Sequence, residues 1–385
     1  MKKKSIDLLL VYDIIAGLFL LASIILALSN NNFMPRLLDS DIGALFSDFA
    51  FHINSTADLQ STYHSSMHAC FPPFIYLFYH LLYLIIPKSY EGVEYYSFLY
   101  AIYTAVLFAL FAIVIKEALK SKKSPLVNVA IIFIILSNSF TYGIIEQANI
   151  VLICSILMLL AVIWKDSESK LKQELALIFI AISAAIKVYP AIFGLMYIIE
   201  KKYKQAFRLI VYGVLFFFVP FLFTGGIDGI VTFFKNQFEV HTTWGINSVV
   251  SLYSFLLYFD FSNRFALVAD AVIFVVLIAF SFVCKEKWKR YFLLISVMLL
   301  CPLWSGRYTV CMMLVPFLTF ILEEKKMSMY SIIYTVLFSL LFCADVSQYA
   351  SYIKYTLILV FIAFLIIIQE MFTLARRKKL KNIQN

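Results

Sequence analysis

Asp48 stands in Phe46-Ser47-Asp48-Phe49-Ala50-Phe51-His52, a carboxylate set among aromatic rings with a histidine four residues on. On a helix, Asp48 and His52 share one face. A carboxylate beside aromatic rings at a membrane surface loses water, which suits it to general-base work. The plain alternative is a solvated loop acid or a helix cap, the reading that fits Asp39 and Asp41 just ahead of it. Further along, Tyr142 to Asn149 opens an apolar segment with Glu146, Gln147 and Asn149. Polar groups so placed either face a cavity or cap the helix and bond its neighbours.

Lys187, in Lys187-Val188-Tyr189-Pro190, lies between two apolar runs and away from every basic cluster. An ammonium there needs an anion, either Glu146 or a ligand phosphate. Arg307, in Trp304-Ser305-Gly306-Arg307-Tyr308, has a planar fork that suits phosphate oxygens, or it anchors the chain at an interface. His64 and His68 have a spacing that binds metal on a helix, but no third ligand has a defined spacing and no metal site is assigned. His241, Trp244 and Asn247 stand where an indole could stack on a sugar, although Trp is also common at membrane interfaces.

The elements that must position these groups are membrane helices. The chain of 385 residues is 63% hydrophobic and 14% charged, far from the balance of a soluble domain. A span needs about 20 apolar residues, so about twelve spans would use most of the hydrophobic share. The whole chain, residues 1–385, reads as a single integral membrane domain. Its first apolar segment, 7–29, is longer than a signal-peptide core and reads as a retained helix. Six cysteines, five of them in or beside apolar segments, give no disulfide framework.

Charge sets the threading. Seven short clusters hold 25 of the 32 basic residues, and such clusters at helix ends stay in the cytoplasm. The net charge of +9 therefore reports membrane orientation and calls for no nucleic-acid partner. Thirteen apolar candidates give the wrong parity, and the least costly repair is that 71–87 does not cross. That segment begins Phe71-Pro72-Pro73 and is rich in tyrosine, which predicts an interfacial helix. Twelve spans remain, near 7–29, 95–115, 125–140, 143–164, 175–187, 189–199, 209–223, 265–284, 291–303, 309–322, 328–345 and 352–372. Pro190 and parity together require a reversal at Lys187–Pro190. All five histidines and the polar loops 30–70 and 224–250 then fall on the outer side.

These pieces in this order resemble the bacterial polytopic glycosyltransferases of family 87, a GT-C-fold group that includes polyprenol-phosphate-mannose-dependent mannosyltransferases. The resemblance rests on Ser47-Asp48-Phe49, Phe71-Pro72-Pro73-Phe74, Glu146-Gln147-Ala148-Asn149 and Lys187-Val188-Tyr189-Pro190, and covers roughly residues 7–310. Glu146 departs from it, standing where Gly is more usual.

The resemblance implies an all-α polytopic membrane protein, a GT-C-type bundle of about 12 transmembrane helices with a long first outer loop at 30–70. It implies hexose transfer, mannose-like, from a polyprenyl-phosphate donor to a lipid- or glycan-linked acceptor on the outer face of the cell membrane. Asp48 would be the base. Lys187, Tyr189, Glu146, Gln147, Asn149, His52, His68, Arg307, Trp244 and Asn247 would bind substrate. The leaving group is already a phosphate, so neither a metal nor another cofactor is demanded. A polysaccharide polymerase or ligase, and a lipid or glycolipid transporter, are the alternatives.

Overall fold

In the computed structural model the described residues are 11–12, 14–15, 17–18, 47–65, 69–90, 92–119, 148–243, 250–303, 305–324, 328–342 and 351–384. Among them the chain is helical and forms no extended strand. It divides into two compact units, one of residues 20–245 and one of residues 246–385 with the first 19. Among the described residues four helices are long and apolar enough to cross a membrane: Glu94–Val114, Tyr203–Leu222, Asn263–Val283 and Ile353–Arg377. The expected segment 125–140 lies outside the described residues, as does most of 7–29.

The first described elements of the unit of residues 20–245 are α1, Ser47–Asn54, and a 3-10 turn at Leu59–His64 capped by Asp58 Oδ1, which accepts from Gln60 N–H at 3.2 Å. The polar first loop therefore contains helical pieces, because its Phe49, Ala50 and Ile53 form an apolar face that is buried. α2, Pro73–Ile85, opens on a proline at its first turn, where the missing N–H removes no helical bond. Its 13 residues reach only about 20 Å. It buries Ile75, Tyr76, Tyr79 and Leu82 and leaves Leu81, Leu84 and Ile85 exposed.

The next described helices are α3, Gly92–Leu119, α4, Val151–Trp164, and α5, Lys170–Ile186. α4 is apolar on every side and is buried almost throughout, the expected fate of such a helix. Its start is sharper than the span 143–164 predicts. Ala148 takes a left-handed φ of 49°, and Asn149 Oδ1 then accepts from Val151 N–H at 3.0 Å.

After α5 the chain passes through a 3-10 turn, Tyr189–Gly194, into the short α6, Leu195–Ile199. The reversal expected at Lys187–Pro190 is present. Lys165 at the end of α4 donates to both Glu200 oxygens at 2.6 Å, and Lys202 pairs with Asp166 and Glu200. Residues 165 and 200 thus share one end of the unit, with Lys187 at the far end of α5, about 25 Å of helix away. α7, Tyr203–Phe218, packs along α5. The expected loop 224–250 instead contains α8, Gly226–Thr243, whose Phe233 packs with Phe217 and Phe221. The polar composition of this stretch masks a narrow apolar face.

The other unit contains α9, Leu252–Tyr258, α10, Asn263–Val283, and α11, Lys287–Leu300. A 3-10 turn, Arg307–Met313, then leads to α12, Leu314–Glu323, α13, Met329–Phe342, and α14, Ser351–Gln384. α11 is its buried centre. Tyr12 of the first apolar segment packs on Phe317 of α12, ring centroids 4.8 Å apart.

Candidate functional site

The unit of residues 20–245 has two chemically distinct ends. At one end the basic clusters find carboxylates: Lys172 Nζ bonds Glu117 at 2.7 Å, Arg208 pairs with Glu174, and Lys165 and Lys202 meet Asp166 and Glu200. At the other end lie α1, the start of α3, the start of α4 and the end of α5. Tyr95 O–H, one turn into α3, donates to Asn54 Oδ1 at 2.7 Å. Phe49 of α1 meets Tyr103 of α3 edge-on, and Tyr103 O–H donates to the Asn149 carbonyl at 2.9 Å.

His52 and Lys187 come together at this end. His52 is buried between Phe71, at 4.2 Å between ring centroids, and Tyr79, stacked at 5.9 Å. Its Nδ1 lies 3.4 Å from the Tyr76 hydroxyl. Lys187 is also buried, and its Nζ stands 3.7 Å from the centre of the Phe71 ring. Burial, and secondly the charge of Lys187, push the His52 pKa down to about 3. The histidine is therefore a neutral ring at working pH, since burial and the Lys187 charge both disfavour its cation.

Residues 55–65 and 69–71, between α1 and α2, are fastened to α8 and the glycine before it. Asn236 Nδ2, buried, donates to the carbonyls of Tyr63 at 3.0 Å and Ala69 at 2.9 Å. His64 Nε2 lies 2.6 Å from Asp228 Oδ2, Gln237 donates to the Cys70 carbonyl, and Gly225 N–H donates to Gln60 Oε1 at 3.2 Å. Gly225 has a φ of 94°, a backbone that glycine adopts without steric cost. His80 Nδ1 is 2.7 Å from the Thr56 carbonyl.

The remaining expected site residues fall as follows. Asp48 lies on α1 one turn before His52, and its side chain lies outside the described part of the structure. Tyr189 is half-buried at the start of the 3-10 turn after Lys187. Asn149 caps α4 at the same end. Arg307 opens a 3-10 turn of the other unit. Glu146, Gln147, His68, Trp244 and Asn247 lie outside the described residues.

Sequence reading did not find the Phe71 ring under Lys187, nor Tyr76 and Tyr79 around His52. Nothing in the spacing of residues 52, 71 and 187 signals the contact. Asn236 was also missed, because a buried asparagine on an amphipathic helix reads as a solvated one.

The sequence model of glycosyltransferase family 87 matches residues 70–316. The chain belongs to that family. No curated protein and no solved structure matches it. The protein is thus a membrane glycosyltransferase, which removes weight from the transporter alternative. The matched stretch of this family-87 glycosyltransferase includes Phe71, Asn149, Lys187, Tyr189 and Arg307, and it begins after Asp48 and His52.

Proposed function

We propose that this glycosyltransferase moves a hexose, mannose-like, from a polyprenyl monophosphate to a lipid- or glycan-linked acceptor on the outer face of the cytoplasmic membrane. One observation carries the reading. A buried lysine ammonium sits beside a neutral histidine at the end of the unit opposite its basic ion pairs. Basic helix ends stay in the cytoplasm, so the Lys187 end faces outward, where a lipid-linked donor supplies the sugar and a cytosolic nucleotide sugar does not. About twelve spans, with α2 along the interface, complete the bundle.

In this reaction the acceptor hydroxyl attacks the anomeric carbon and Asp48 takes its proton. The bond from that carbon to the phosphate oxygen breaks, and its electron pair leaves with the polyprenyl phosphate. Lys187 offsets the charge that develops on the leaving oxygen. Asn149, Tyr189, Glu146, Gln147, His52, His68 and Trp244 are the substrate-binding residues of this reading.

The test is transfer from labelled polyprenyl-phosphate hexoses to a membrane glycolipid extract by protein in lipid. Wild type should transfer, and Asp48→Asn should lose about 10²- to 10⁴-fold in rate. Full activity of Asp48→Asn would refute the base assignment, and no transfer from any hexose donor would refute the donor class.

A further inference from the structure

We propose that Phe71 is a positioning residue: its ring is a cation–π seat that holds the Lys187 ammonium where an anionic phosphate group is bound. This rests on the phosphate role of Lys187 given above and extends it to a residue with no polar side-chain atom.

The seat is over-determined. Phe71 N–H donates to the Tyr76 hydroxyl at 3.3 Å, and the Phe71 carbonyl accepts from Tyr63 O–H at 2.9 Å. Both of its backbone groups are thus tied to side chains. Pro72 follows it, and the residue before a proline is confined to extended backbone. The ring packs against His52, 4.2 Å away between centroids, and stacks on Tyr76 with planes 25° apart. Tyr63, which fixes the carbonyl, is itself fixed through its own carbonyl by Asn236.

Lys187 is the residue at which α5 ends, with extended backbone at φ −137° and ψ 131°. Four rotatable bonds separate that backbone from Nζ, and the Phe71 face is one contact that selects where the ammonium stands. The face of an aromatic ring attracts a cation through its quadrupole, more strongly when water is excluded. Nζ lies 3.7 Å from the ring centre, with both residues buried. This contact fixes the ammonium yet adds no negative charge, so it does not neutralise the cation as a carboxylate would. The neutral His52 beside the ring suits the same purpose, since a second cation there would repel the first.

The test keeps the shape of the ring and drains its quadrupole. Phenylalanines carrying one, two and three fluorines are installed at position 71 in the full chain in lipid nanodiscs. Affinity is measured for a short-chain polyprenyl monophosphate and for the uncharged prenol of the same length. Phosphate affinity should fall stepwise, by about three- to thirtyfold over the series, while prenol affinity stays level. In a Lys187→Met background the phosphate series should be flat.

A flat series in otherwise wild-type protein, with phosphate binding still lost in Lys187→Met, would overturn the seat and leave the phosphate reading standing. Equal wild-type affinity for phosphate and prenol would instead overturn the phosphate reading. The seat is then judged without ligand, from melting temperatures of Phe71→Leu, Lys187→Met and the double variant. Non-additive shifts are expected, and strictly additive ones would overturn it.

Discussion

Acid should loosen the unit of residues 20–245 through His52, and the size of the effect follows from its surroundings. The ring is buried and its pKa is pushed down to about 3, first by burial and then by Lys187. In the unfolded chain a histidine titrates near 6.5. Well above pH 6.5 the ring is neutral in both states and its burial is unpenalised. Below that value the unfolded chain takes up a proton that the folded one refuses, so stability falls by about 1.4 kcal/mol per pH unit. The loss continues until pH approaches 3, where the folded ring also protonates. Between pH 7.5 and pH 5 it amounts to about 2 kcal/mol. The assay is unfolding in mixed micelles by SDS titration, at both pH values, for wild type and His52→Gln. Glutamine does not titrate, so the variant should lack this component whatever its own stability. Equal pH dependence in the two proteins would refute a buried neutral histidine. Lys187→Met should shrink the effect and not abolish it, because burial is the larger cause.

Asn236→Leu should destabilise the unit by about 1–3 kcal/mol, because the Tyr63 and Ala69 carbonyls lose their partner in a buried place. Asn236→Asp keeps the shape but lacks the donors and should be no better, as the same titration will show. Lys165→Met should lower stability by up to about 3 kcal/mol through the exposed need of Glu200, with Lys202 limiting the loss. A cysteine at Asp58 should react with an impermeant thiol reagent added to intact cells, and one at Lys122 only after permeabilisation. The reverse pattern would invert the orientation argued from the basic clusters.

Much of the helical architecture was legible because lipid enforces it. Apolar length picked out 95–115, 209–223 and 265–284, and the observed α3, α7 and α10 occupy them. The hairpin at Lys187–Pro190 was legible too, since proline and charge parity both demanded it. α8 was not, because its apolar face of Phe233 and its neighbours is diluted by Asp228, Lys235, Asn236 and Glu239. Pattern reading also found Lys187 and His52 separately but had no means of joining them. Their meeting depends on how α1, α2 and α5 pack, and the residue that joins them, Phe71, looks like any of 39 phenylalanines.

The contact of Tyr12 with Phe317 also bears on how the protein is made. Two groups about 300 residues apart in the chain belong to one compact unit. At roughly 5–20 residues per second of synthesis, the first waits on the order of 15–60 s for the second. Residues 20–245, whose contacts close among themselves, can assemble during that interval. Tyr12, made before them, meets its Phe317 partner only after them, when the last third of the chain arrives.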